Sequence, residues 1–215
     1  MSLLLYIDTS VRDFNILLVK NNEILFSAAN DIKTGKRREI GQVLTNGLSK
    51  INAKTKDINS IAVNVGPGPT NAIRSGVSFS NSLAYGLKIP VARFSSFELM
   101  GYDAWKKTGL PVICTAKAIS GNVYFGIFNG EKVTDAKFGQ LDEIFETTNF
   151  DAPNYAVAGQ HREVIIANQH GVDCMDSEVL MGNPEVLLEL EKMIFDRSKF
   201  YPDIIKPITE SLIFY

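Results

Sequence analysis

The sequence predicts an α/β protein of two related lobes, and three observations carry that prediction. Residues 3 to 29 hold three short apolar runs joined by turn residues, an antiparallel opening. From about Arg37 the apolar spacing changes to helices alternating with short strands. From Val112 a second three-strand opening begins, which makes the architecture a duplication. The expected lobes are residues 1–99 and 100–215, with the C-terminal helix free to pack back on the first.

Leu3 to Asp8 reads as a buried strand ending in the polar Asp8-Thr9-Ser10. Phe14 to Val19 and Glu23 to Ala29 follow as two strands, and Lys20-Asn21-Asn22-Glu23 between them is a hairpin signal. Over Arg37 to Ala53, Ile40, Val43, Leu44, Gly47, Leu48 and Ile51 share one helical face. Ser60 to Val65 is a strand of mostly β-branched residues stopped by Gly66-Pro67-Gly68-Pro69. The next helix is expected from Thr70 to Gly86, with Gly86 and Pro90 as stop signals. Ile89 to Phe94 is a strand, and Ser95 and Glu98 stand in capping-box spacing at the start of a third helix.

The second opening comprises Val112 to Ala116, Val123 to Phe128 and Glu131 to Lys137, with Asn129-Gly130 as a hairpin turn. Leu141 to Thr147 and Pro184 to Phe195 read as helices and Tyr155 to Ala158 as a strand. The tail from Tyr201 has apolar patches without a period.

Composition excludes several classes. With 22 basic and 24 acidic residues the net charge is -2, without the basic excess of a stand-alone nucleic-acid binder, so an RNA partner would be held jointly with another protein. Cys114 and Cys174 make no disulfide framework and no metal spacing, which fits a reducing compartment. The N-terminal apolar run is too short for a signal peptide or a membrane span, so the expected location is the cytoplasm.

Two loops carry candidate chemistry. A carboxylate with neighbouring hydroxyls at a strand end, as in Asp8-Thr9-Ser10, suits approach to nucleotide phosphates or their magnesium ion; the same residues also satisfy loop amides. Gly66-Pro67-Gly68 between strand and helix offers backbone amides to an anion, or is a tight connection fixed by Arg74. It lacks the lysine and hydroxyl of a P-loop, and Asn71 occupies the last glycine position of a dinucleotide fingerprint. The helix from Thr70 carries Ala72, Gly76, Ser80 and Ala84 at i+4 spacing, which serves internal packing or a subunit interface with the Ile40 to Ile51 helix. Lys33, Lys36, Arg37 and Arg38 form a solvated basic loop or a phosphate contact. His161 and His170 lack zinc-protease spacing, and there is no serine nucleophile elbow.

The segment Ile61-Ala62-Val63-Asn64-Val65-Gly66-Pro67-Gly68, followed by Arg74, Gly76, Leu83-Ala84, Ile89-Pro90-Val91 and Ser95-Ser96-Phe97-Glu98, resembles the bacterial TsaB (YeaZ) family. Tyr6-Ile7-Asp8-Thr9-Ser10, Glu23-Ile24-Leu25 and Gly121-Asn122-Val123-Tyr124 are similar to that family in order and spacing. The resemblance implies the actin-like ATPase, sugar kinase and Hsp70 (ASKHA) fold, two small lobes each with a mixed β-sheet and flanking helices. It also implies a non-catalytic subunit that supports transfer of a threonylcarbamoyl group to adenosine 37 of tRNAs reading codons that begin with A. Its partners would be a metal-binding TsaD-like catalytic subunit and a TsaE-like ATPase, with tRNA held through the complex, or a second copy when alone.

By the same resemblance the partner interface maps onto Ile40, Val43, Leu44, Leu48 and Ile51 and onto Ile73, Gly76, Val77, Ser80, Leu83 and Ala84. Asp8, Thr9, Ser10, Gly66, Pro67, Gly68 and Arg74 would be vestigial or weak nucleotide loops. The isolated chain needs no cofactor on this reading, and ADP or ATP would sit at an interface with the partner. The sequence departs from the family at residues 69–73, where the turn and Arg74 survive but the side chains between them differ. It departs also at Arg37-Arg38-Glu39 and at Pro207-Ile208-Thr209-Glu210. The alternative is a small kinase or ATPase of the same superfamily. Kinases of that superfamily generally enclose nucleotide with added subdomains, for which a chain of 215 residues has little room.

Overall fold

In the computed structural model the described residues are 2–10, 14–29, 39–168, 171–200 and 203–208. The basic residues Lys33, Lys36, Arg37 and Arg38, His170, and the tail residues Thr209 and Glu210 lie outside them. Contacts divide the chain into two units, Met1–Phe94 with Leu187–Pro207 and Ser95–Val186 with Ile208–Tyr215.

The first unit is built on a five-stranded sheet. β1 (Leu3–Asp8), β2 (Asn15–Lys20) and β3 (Glu23–Ala29) form the antiparallel opening, and β4 (Ile58–Asn64) and β5 (Val91–Phe94) add parallel to β1, in the order β3-β2-β1-β4-β5. Asn21 and Asn22 form a two-residue turn with φ of 55° and 61°, the left-handed pair that matches the twist of a hairpin, so Lys20 stands opposite Glu23. β1 is buried along its whole length, as expected of a central strand covered on both faces.

Helix α1 (Ile40–Lys50) packs on β2 and β3. It starts later than the periodicity suggests, because Glu39 is extended and serves as the N-cap. Helix α2 (Thr70–Leu87) lies over β4, β1 and β5. It runs one residue past Gly86, and Lys88, with φ of 58°, is the left-handed residue that ends it.

Beyond the second unit the chain returns as α6 (Val186–Phe195), whose Phe195 ring meets the Tyr6 ring of β1 edge-on at 5.9 Å. It then runs along the open edge of β5, where Val91 and Lys199 exchange two backbone bonds of 2.9 and 2.7 Å. Asn81 of α2 brackets Ile205, its amide donating to the carbonyl at 2.9 Å and accepting from the N–H at 3.0 Å.

The second unit repeats the topology. β6 (Val112–Lys117), β7 (Val123–Phe128) and β8 (Val133–Gly139) are antiparallel, and β9 (Asn154–Gly159) and β10 (Asp173–Asp176) add parallel to β6, in the order β8-β7-β6-β9-β10. Period-two alternation splits its core. Cys114, Tyr124, Phe128 and Ala156 pack with Phe97, Met100 and Ala104 of α3 (Ser96–Thr108). Ile113, Phe125 and Tyr155 pack with Phe145 of α4 (Leu141–Thr147) and Ile165 of α5 (Arg162–Asn168).

The expected capping box begins α3: Glu98 N–H donates to Ser95 Oγ at 3.0 Å and Ser95 N–H to Glu98 Oε2 at 2.7 Å. The Asn129-Gly130 turn is longer than expected, since Asn129 Oδ1 accepts from the N–H groups of both Glu131 and Lys132 and delays β8 to Val133. The short α5 and the edge strand β10 have no counterpart in the sequence reading; the acids of Asp-Cys-Met-Asp hide any strand alternation.

Candidate functional site

Strands β1 and β4 are parallel neighbours, so their carboxyl ends deliver Asp8-Thr9-Ser10 and Asn64 to Gly68 to the same end of the first sheet. This is where ligands of open α/β sheets bind. A chain of hydrogen bonds joins the two segments. Asp8 Oδ1 accepts from the N–H of Ser10 at 2.8 Å and from its hydroxyl at 2.6 Å. The Asn64 amide donates to Ser10 Oγ at 3.1 Å, and Gly66 N–H donates to Asn64 Oδ1 at 2.8 Å. Asn64 is fully buried. It joins the two candidate loops and has no place among the sequence-predicted site residues, although an asparagine closing a β-branched strand just before Gly-Pro-Gly is itself a signal.

Burial pushes the Asp8 carboxyl above the usual carboxylate range, and the bonds from Ser10 and Asn64 oppose that shift without overcoming it. The Gly66–Pro67 peptide is cis, and Gly66 has φ of 104°. Gly68 sits directly on Ser10: a Cβ there would lie 2.9 Å from the Ser10 carbonyl oxygen and 3.1 Å from its Cα. The two loops therefore touch backbone to backbone, which leaves no room between them for a phosphate at that point. Thr9 is buried against Gly76 of α2, and among the described residues its hydroxyl has no hydrogen-bond partner. Thus Asp8, Thr9, Ser10, Gly66, Pro67 and Gly68 are brought together, whereas Arg74 is exposed on α2.

The helical residues expected at a partner interface face the other way. Val43, Leu44, Leu48, Ile73, Gly76, Val77, Ser80 and Ala84 are buried within the first unit itself, and Ile40, Ile51 and Leu83 are half-buried. The small residues of α2 bring the helix close to its own sheet: Gly76 admits Thr9, and Ser80 returns its hydroxyl to the Gly76 carbonyl at 2.8 Å. Outward these helices present Gln42, Thr45, Asn46, Ser49 and Lys50 on α1 and Asn71, Arg74, Ser75, Ser78, Ser82 and the large Tyr85 on α2, beside half-buried Ala72 and Phe79.

In the second unit the end of β9 repeats that of β4, with Gly159 at φ 100° against the Thr115 carbonyl. His161 follows; among the described residues its buried Nδ1 has no hydrogen-bond partner, and burial with the nearby Lys117 charge holds its pKa below the ordinary value. Burial pushes both thiols up, Cys174 to about 11. Among the described residues no three His, Cys, Asp or Glu side chains group to hold a metal ion, and no helix is long and apolar enough to cross a membrane.

Comparison with known proteins places this geometry. The family model described as TsaD, tRNA N6-adenosine threonylcarbamoyltransferase, matches residues 33–183. The chain is 28% identical over 174 residues to the tRNA N6-adenosine threonylcarbamoyltransferase of Clostridium novyi, covering 72% of this chain and 50% of that protein. It is 27% identical over 148 residues to the tRNA threonylcarbamoyladenosine biosynthesis protein TsaB of Bacillus subtilis, covering 68% and 61%. It therefore spans half to about three fifths of the length of these curated relatives. YeaZ from Pseudomonas aeruginosa superposes with a TM-score of 0.76 at 21% identity, covering 97% of this chain and 100% of that one. A P. aeruginosa protein described as similar to peptidase YEAZ gives 0.77 at 20% identity, covering 97% and 99%. At these identities the structural likeness shows the fold, and the fold is that of YeaZ.

Proposed function

Because the chain belongs to the TsaD family and has the fold of YeaZ, we propose that it serves tRNA threonylcarbamoyladenosine biosynthesis as a non-catalytic subunit that pairs with a TsaD-like catalytic protein. The observation that carries the non-catalytic part is the closed state of the loops at the carboxyl ends of β1 and β4. The Asp8 carboxylate is engaged by Ser10, and Gly68 is in contact with Ser10. A site built to hold magnesium and phosphate keeps such oxygens accessible. Here they stabilise the junction of two strands and a helix. A TsaE-like ATPase and tRNA would join through the complex, and ADP or ATP, if used, would be held where the partner completes the site.

The pairing surface on this reading is the outward face of α1 and α2, because their inward face already forms the core. The exposed strip of Ser75, Ser78 and Ser82 allows a partner helix to approach α2 closely. The test is co-elution of the full chain with the TsaD-like protein of the same source. Ser75→Glu/Ser82→Glu adds charge to exposed positions, so the variant should keep its melting temperature and lose the complex. Undiminished association of this folded variant would refute the interface. Tight magnesium-ATP binding by the chain alone, lost in Asp8→Ala, would favour a small kinase or ATPase instead.

A further inference from the structure

Two open clefts lie at the opposite end of the first sheet, where β1 and β4 begin. One, of about 460 Å³, is lined by Lys20, Asn52, Lys56, Asp57 and Asn59 over Ile51. The other, of about 480 Å³, is lined by Asn21, Asn22, Asn59, Ser198, Glu191 and Phe195. Asn59 borders both. Leu3 borders the first and Leu4 the second, so successive residues of β1, which point to opposite faces, place the clefts on the two sides of one sheet end.

Donors dominate the first cleft. Leu3 N–H donates to Asn59 Oδ1 at 2.7 Å, which fixes the amide with its NH₂ group as the remaining donor end. Asp57, the acid of the cleft, accepts the Lys54 N–H through Oδ2 at 2.8 Å and so closes the turn at Thr55–Asp57. Glu23 stands opposite Lys20 in the hairpin register, yet among the described residues no ion pair engages Lys20 or Lys56. Lys50 and Lys54 border the same stretch of chain, Lys50 with its ammonium 5.4 Å over the Phe26 ring.

Two lysines that no described acid pairs, the Asn59 amide held as a donor and a cleft open to solvent suit a flexible polyanion better than an enclosed small molecule. We propose that this edge binds the phosphates of an RNA strand. Lys20 and Lys56 act as point charges, and Asn59 and Asn52 donate to phosphate or ribose oxygens. The choice of RNA rests on the reading that the chain serves tRNA modification; the donor geometry does not depend on it.

The experiment is fluorescence polarisation of a labelled tRNA transcript with the full chain, alone and mixed with the TsaD-like protein, over a salt series. Wild type is compared with Lys20→Gln/Lys56→Gln and with Lys107→Gln/Lys132→Gln, a control on the second unit. The cleft variant should lose affinity at least about fivefold, and its salt slope should become shallower by about 1.5, the release expected from two phosphate contacts. The control should match wild type. Absence of wild-type binding in both settings, unchanged affinity in the cleft variant, or equal loss in the control would overturn the proposal. So would displacement of the tRNA by low-millimolar pyrophosphate, which marks a site for a small phosphate compound. Co-elution with the TsaD-like protein, followed on the same variants, separates the two readings, since failure to pair would leave the RNA result standing.

Discussion

Asp8 illustrates how one side chain sets a pH dependence. Its folded pKa lies above the ordinary carboxylate value because burial disfavours the charge. The native state therefore keeps a proton at pH values where the unfolded chain has lost it, and stability declines as pH rises from the ordinary carboxylate value through the folded one. Asp8→Asn keeps an oxygen for the Ser10 donors and removes the charge. Melting scans should show the variant level with wild type in acid and more stable at pH 8; a pH-independent difference would contradict burial as the cause. Gly76 offers a second test at this scale. Alanine in a helix normally gains about 1 kcal/mol over glycine, but a Cβ here would overlap the Thr9 hydroxyl and methyl. Gly76→Ala is expected to cost about 1–3 kcal/mol by overpacking, and Thr9→Ala should remove most of that cost. Chemical denaturation of the four species of this cycle checks the coupling.

Among the elements, α2 does most to connect core and surface. Its inward residues pack on β4, β1 and β5, and its flank holds the returning tail through Asn81. Removing that amide leaves the Ile205 backbone groups unpaired, so Asn81→Ala should destabilise by about 1–3 kcal/mol. Hydrogen exchange should locate the loss at Lys199, Ile204, Ile205 and the β5 edge, and uniform loosening of the first unit would contradict a local clamp. Apolar periodicity marks α1 through Ile40, Val43, Leu44 and Leu48, and the i+4 row Ala72, Gly76, Ser80 and Ala84 marks the close-packing side of α2. A period identifies an apolar face without saying whether sheet or partner covers it, which is why these residues read equally well as interface. Leu44→Glu places a charge in the core and should cost about 3–5 kcal/mol. Thermal denaturation checks it, and a folded, fully stable variant would return that face to the surface.

For the whole molecule, the duplicated opening of three antiparallel strands was legible because β1 is apolar up to Asp8, β7 carries no charge, and Asn21-Asn22 is strong turn chemistry. Asp8-Thr9-Ser10 and Gly66-Pro67-Gly68 were legible as loops for the same local reasons. Their closure was not, because it depends on Asn64 reaching Ser10 across 54 positions of sequence. The polar β10 and short α5 also escaped, since neither carries a period long enough to count. The clefts at the start of β1 escaped because their lysines and asparagines are scattered over four segments and converge only in the fold. On the proposed function the chemistry belongs to another protein and this chain organises it. The most direct measurement is threonylcarbamoyl incorporation into a tRNA transcript by the TsaD-like protein, with and without this chain. The proposed function predicts no incorporation by the chain alone and strong stimulation of the TsaD-like protein when it is added, lost again in Ser75→Glu/Ser82→Glu. Incorporation by the isolated chain, or equal activity of the TsaD-like protein without it, would rule out a non-catalytic activating role.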